Sequence, residues 1–185
     1  MKQLLTTCSI AATLVAPCAM ASSLDVDLNN DALKAQFNAS DAKADLGLSG
    51  AILLTDDHGE AYSVTLRTQG VLADQEHIRG GFGGRAYHIA PAPFDGSFQS
   101  LAVGGYLDVT IPEFTDLTLS VELYYAPSIT TTDDVDNVSD FGLRASYQLF
   151  QNASAYIGLR YLEAEIENFD IEIDDGAHIG FTLQF

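Results

Sequence analysis

The sequence predicts an all-β protein, a transmembrane antiparallel up-and-down β-barrel of eight strands, with ten as the alternative count. Three observations lead there. Apolar residues alternate with polar or small ones through eight successive stretches, as strand side chains do when they point to opposite faces. Beyond the N-terminal leader, no stretch holds the about 18 continuous apolar residues with which a helix crosses a bilayer. The chain closes on HIGFTLQF, where Ile179, Phe181, Leu183 and Phe185 make one apolar face.

The leader comes first. Lys2, an apolar run over 4–20 and the A-x-A site Ala19-Met20-Ala21 predict a secretory signal peptide over 1–21. Thr6, Thr7, Ser9 and Thr13 interrupt the run, which is short for a membrane anchor. Pro17 before Cys18 disfavours lipid attachment. Cleavage removes Cys8 and Cys18, so the exported chain enters an oxidising compartment without a thiol. About 164 residues remain, a one-domain length. Without Lys2 the chain has 7 basic against 26 acidic residues, a formal charge of −19. That excludes nucleic acid, which is held by clustered Lys and Arg. A hydrophobic content of 47% excludes an acidic disordered polymer.

Residues 22–42 are expected to form an N-terminal segment, partly periplasmic or lumenal. Its alternating stretch over 33–39 would make a ninth strand and break the even count of a bacterial barrel. The barrel is expected over 43–185. Its strands cover 43–55 (Leu46, Leu48, Ile52 and Leu54 on one face), 60–68 (Tyr62, Val64, Leu66) and the glycine-rich 78–89 (Ile78, Phe82, Ala86). Next come 99–111 (Leu101, Val103, Leu107, Val109), 117–126 (Leu119, Val121, Leu123, Tyr125), 138–150 (Phe141, Leu143, Tyr147, Leu149), 153–163 (Ile157, Leu159, Tyr161) and 175–185. Several reach the about 9–11 residues of a tilted membrane-crossing strand. An apolar outer face forces closure, because an open edge in hydrocarbon leaves backbone groups unpaired. A lipocalin-like barrel or a sandwich, with the apolar face inward, is the soluble alternative.

With both chain ends on the periplasmic side, loops 56–59, 90–98, 127–137 and 164–174 fall outside and links 69–77, 112–116 and 151–152 inside. Tyr62, Tyr125, Phe141 and Tyr161 then form an outer aromatic girdle, with Tyr147, Leu149 and Phe185 toward the periplasmic rim.

All five arginines fall on the other face. The expected lumen network is Asp45, Arg67, Arg79, Arg85, Asp108, Glu122, Arg144 and Arg160, with Tyr87, Tyr106, Tyr124 and Tyr156 beside it. In a small barrel such residues fill the interior. The expectation is a plugged lumen. An arginine-lined route for small anions is the alternative.

Other motifs are weaker. GGFGG at 80–84 matches part of a dinucleotide loop, but no helix pattern follows it. The acidic stretches 163–176 and 130–137 have the oxygen donors for Ca²⁺ or Mg²⁺ without EF-hand spacing, and are read as solvated surface with no metal. His58 beside Asp56-Asp57, and His88, are the only candidates for acid–base catalysis; no G-x-S-x-G elbow is present, and no enzyme activity or cofactor is expected.

His178, Gly180, Leu183 and Phe185 fit polar-x-Gly-x-x-apolar-x-aromatic, which resembles the C-terminal signal read by the barrel assembly machinery. More widely, DDHGEAYSVTL (56–66), SLAVGGYLDV (100–109), LSVELYYAPS (119–128), FGLRASYQLFQNASAYIGLRYLE (141–163) and the ending are similar to the YfaZ family of outer-membrane proteins. The resemblance covers roughly 43–185 and implies a small outer-membrane barrel without catalytic residues. The expected function is a structural or surface-interaction barrel in the cell outer membrane, monomeric, with outer-membrane lipid, lipopolysaccharide and the assembly machinery as its partners. A narrow porin-like channel for small solutes is the second reading.

Overall fold

The protein is described by a computed structural model over residues 21–41, 44–72, 77–92, 96–133, 135–166 and 169–185. The leader expectation falls outside these residues except for Ala21. Eleven strands follow in order: β1 (Ala21–Leu28), β2 (Ala32–Asp41), β3 (Leu46–Thr55), β4 (Gly59–Thr68), β5 (Gly70–Val71), β6 (Ile78–Pro91), β7 (Phe98–Ile111), β8 (Phe114–Pro127), β9 (Val135–Phe150), β10 (Ala153–Ile166) and β11 (Phe169–Gln184). One 3₁₀ turn, Ser128–Thr130, lies between β8 and β9.

Every strand pairs antiparallel with its neighbours, β1 pairs with β11, and β4 with β6, so the sheet closes on itself. The two-residue β5 lies outside this ring count; it continues the register of β4 against β6, with Gly70 opposite Gly80. The barrel therefore has ten strands, not eight. The two additional strands are β1 and β2, from the segment expected to stay outside the wall. The expectation failed because β1 is only eight residues long and follows the leader directly. Its alternation, Leu24, Val26 and Leu28 against Ser23, Asp25 and Asp27, is brief, but closure supplies partners along both of its edges. Even parity is kept: the first and last described strand ends lie at one end of the barrel, where Ser22 and Phe185 exchange backbone hydrogen bonds of 2.9 and 3.2 Å.

The register fixes the stagger. From Asp27 in one direction, directly opposed residues run Lys34, Leu53, Ala61, Ile89 and Phe98. In the other direction they run Gly180, Tyr156, Ser146, Thr118 and Thr110. The two paths meet β7 twelve residues apart. Ten strands about 4.8 Å apart, tilted roughly 40°, enclose a ring about 20 Å across.

Tight connections use residues suited to them. Asp45 takes φ 51° in the β2–β3 turn, a left-handed conformation that Asp tolerates. Gly59 takes φ 99° in the β3–β4 hairpin, where a Cβ would collide with the carbonyl oxygen of Ala90.

The apolar face points outward. Leu119, Val121 and Leu159 are 42%, 37% and 50% exposed on the bare barrel, and Leu48, Val64, Phe82, Val103, Leu143 and Phe181 share that surface. A lipocalin-like barrel would turn these residues inward. Tyr62, Tyr125, Phe141 and Tyr161 all lie on the outer surface toward the long-loop end. At the other end Phe37 and Phe185 face one another at 6.2 Å.

Candidate functional site

The interior holds the polar chemistry, in layers. Toward the long-loop end it is closely packed and mainly apolar. Leu53, Ile89, Phe98, Val138, Leu162 and Ile173 project inward among Ala61, Ala102, Ala126 and Ala164 to form one buried cluster. Ile89, Val138 and Ile173 have no exposed surface. The expectation of an interior filled by ionic residues and tyrosines does not include this layer. Its signal was present, since Leu53, Ile89 and Leu162 occupy the polar phase of their strands. The neighbouring apolar residues on the opposite phase hid it.

Below that cluster lies an ionic layer. Arg85, on β6, donates from Nε to Thr65 Oγ1 at 2.8 Å, from Nη1 to Asp140 Oδ2 at 2.6 Å, and from Nη2 to Glu122. Tyr87 OH donates to the same oxygen of Asp140. The guanidinium lies 4.0 Å from the centre of the Tyr124 ring. Arg160, on β10, donates from Nη1 to Asp27 Oδ1 at 2.8 Å and from Nε to Asp174. Tyr156 OH donates to Asp27 at 3.1 Å and Asn29 Nδ2 to Asp174 at 2.7 Å. Guanidinium forks that each reach two carboxylates suit a buried site because they satisfy both partners.

Two further arginines lie closer to the short-turn end. Arg67 Nη1 is 3.9 Å from Glu122, with its guanidinium 4.4 Å from the Tyr106 ring. Arg144 Nη1 is 3.6 Å from Asp25, with its guanidinium 4.8 Å from the Tyr156 ring. Asp25 itself accepts hydrogen bonds from Asn38 and Thr182.

Glycines make this packing possible. A Cβ on Gly104 would collide with the Leu123 carbonyl oxygen and lie 2.8 Å from the Tyr124 ring. A Cβ on Gly83 would lie 2.9 Å from Arg67 Cβ. The GGFGG stretch is thus part of strand β6, not a loop before a helix.

The structure brings Arg67, Arg85 and Glu122 into one cluster and sets Arg144 and Arg160 against carboxylates of β1. Arg79 and Asp108 are directly opposed across β6 and β7 at the short-turn end. Asp45 is apart from the network, exposed in its turn, where its carbonyl oxygen accepts from the Gln69 N–H at 2.8 Å.

Sequence reasoning missed Asp25, Asp27, Lys34, Asp140 and Asp174. Three of these lie on β1 and β2, the strands it did not count. Asp174 escaped because the expected strand began at Asp175; it lies on the same inward phase as His178 and Gly180, and the bulge between Leu162 and Glu163 just beyond it buries Ile173 as well. Asp140 lay on the polar phase, but alternation does not tell which inward charges meet.

Among the described residues the layer is charge-balanced. Lys34, Arg67, Arg85, Arg144 and Arg160 stand against Asp25, Asp27, Glu122, Asp140 and Asp174. A cavity of about 20 Å³ lies at its upper edge, lined by Lys34, Leu53, Arg85, Asp140 and Arg160 among others. It is the size of a water molecule. The other acidic side chains among the described residues lie on loops and rims.

The remaining candidates do not converge. His58 is exposed in its hairpin, donating its backbone N–H to Thr55 Oγ1 at 3.1 Å. His88 is on the outer surface, its ring 6.3 Å from that of Tyr62. Among the described residues, no three His, Cys, Asp or Glu side chains are placed to share a metal ion. At the C-terminus, Gly180 lies beneath Tyr156, where a Cβ would be 2.6 Å from the phenolic oxygen, and Leu183 and Phe185 face outward.

A family model described as YfaZ precursor matches residues 1–185. No curated protein matches. Among solved structures, the chain is similar to the KdgM porin at 13% identity, covering 89% of this chain and 99% of that one, with a TM-score of 0.48. The outer membrane channel DcaP of Acinetobacter baumannii matches at 14% identity over 87% and 54%, with a TM-score of 0.43. The translocator domain of the autotransporter NalP from Neisseria meningitidis matches at 12% identity over 90% and 87%, with a TM-score of 0.33.

Proposed function

Because the chain belongs to the YfaZ family and closes as a ten-stranded barrel, we propose that it is a non-enzymatic outer-membrane barrel whose lumen is plugged by its own side chains. Its role is structural or in surface interaction. The outward apolar wall is the surface that meets acyl chains, and the aromatic residues near each rim match the two interfaces. The short-turn end, with Ser22 and Phe185, faces the periplasm. The monomer is the working unit, surrounded by lipid and lipopolysaccharide, and Gly180, Leu183 and Phe185 present the terminal strand to the assembly machinery.

One observation carries the plugged reading. Ile89, Val138 and Ile173 have no exposed surface, and a charge-balanced layer of bonded arginines lies directly beneath them. A solute would have to break both. Planar-bilayer recording of pure, folded protein tests this. The expected result is a silent membrane. Reproducible unitary steps, absent from a detergent control, refute the plug and favour the narrow channel.

A further inference from the structure

Resting on the plugged-lumen reading, we propose that the periplasmic half of the interior is a blind vestibule that binds a small oxyanion, a carboxylate or phosphate group, on the guanidinium of Arg144.

Exposure of inward-facing residues rises toward the short-turn end, although Asp25 and Tyr156 beside Arg144 stay buried at 7% and 4%. Above Arg85 and Arg160 the interior is sealed. Below them Gln36, Asn38, Arg67, Thr118, Ser146 and Thr182 are all partly accessible from the lumen. The connections 112–113 and 151–152 at that end are two residues long, too short to fold across the mouth, and the described start of the longer link 69–77 is held along the wall, with Gly70 and Val71 paired to β6.

Arg144 differs from the arginines above it. The side chains of Arg85 and Arg160 are 4% and 6% exposed, and each bonds two carboxylates. That of Arg144 is 37% exposed. Its carboxylate contact, to Asp25 at 3.6 Å, is longer than the about 2.7–2.9 Å of a charge-assisted hydrogen bond. The oxygens of Asp25 are occupied by Asn38 and Thr182. The Tyr156 ring lies against the guanidinium, and the directly opposed neighbours of Arg144 are Ser120 and Gly158. A planar fork of N–H donors is left facing water, the geometry that takes a carboxylate or phosphate bidentately.

The test uses thiol chemistry, since residues 21–185 contain no cysteine. A single Ser146→Cys substitution places a thiol two residues along the strand from Arg144, on the same face. Its reaction rate is compared for a sulfonate-bearing and a trimethylammonium-bearing methanethiosulfonate, with heat-modifiable gel mobility confirming the fold. Added Arg144→Gln should lower the anion-over-cation rate ratio about fivefold, Arg144→Lys should retain most of it, and inorganic phosphate should slow the sulfonate reagent only when Arg144 is present. A ratio unmoved by Arg144→Gln, or a phosphate effect independent of Arg144, overturns the anion site while leaving the plug intact. A bulky polymer-linked maleimide should label the Ser146→Cys thiol in osmotically opened cells and not in intact ones. Labelling in neither overturns the vestibule alone, whereas labelling in intact cells overturns the plug as well.

Discussion

Replacing Arg160 by Met should be among the most damaging single changes in the barrel. Its side chain is 6% exposed and bridges β10 to Asp27 on β1 and Asp174 on β11. Met keeps the length and apolar stem but leaves two buried carboxylates, each retaining one neutral donor, Tyr156 for Asp27 and Asn29 for Asp174. Removing one partner of a buried ion pair costs about 3–5 kcal/mol, a large fraction of a typical domain's about 5–15 kcal/mol. The damage should concentrate at the β11–β1 seam, because the β10-to-β1 bridge is lost there. Adding Asp27→Asn and Asp174→Asn removes the orphaned charges and should recover most of the loss, since a neutral set of similar volume often matches a buried ion cluster. The assay is urea unfolding of vesicle-embedded protein followed by heat-modifiable mobility and far-ultraviolet circular dichroism, as the chain has no tryptophan to report. Arg160→Met within about 1 kcal/mol of the parent, or a triple variant no better than the single, would refute the view that this layer ties the ring together.

Three other outcomes are expected. Val121→Arg or Leu159→Arg puts charge on the outward wall and should cost about 2–4 kcal/mol, lowering the heat-modifiable fraction in membranes, whereas Thr118→Arg, inside the accessible half, should leave it near parental. Gly104→Ala drives a methyl into the Leu123 carbonyl and the Tyr124 ring; an overpacking cost of about 1–3 kcal/mol should appear as a lower urea midpoint. At the projecting β10–β11 hairpin, partial desolvation and then the nearby Asp170, Glu172 and Glu165 raise the Glu163 pKa. A raised carboxyl pKa means the folded hairpin is more stable with Glu163 protonated, so hydrogen-exchange protection over 163–172 should increase as pH falls through that raised value and decrease as pH rises through it; Glu163→Gln should flatten this dependence.

Alternation along the chain determined the class of fold, the outward direction of Leu119, Val121 and Leu159, and the inward direction of Arg67, Arg85, Arg144 and Arg160. These follow from local geometry, because period two survives in any strand. The count of strands was not local: β1 becomes a strand because β11 and β2 lie on either side of it, and its short run of Leu24, Val26 and Leu28 reveals neither neighbour. The pairing of charges was not local either. Arg160 meets Asp27 across 133 positions of sequence because β10 and β1 both pair with β11 once the ring closes, and Asp174 meets them from the inward phase of β11 itself. Which charge meets which is a property of register and closure, and those exist only once the strands have found one another.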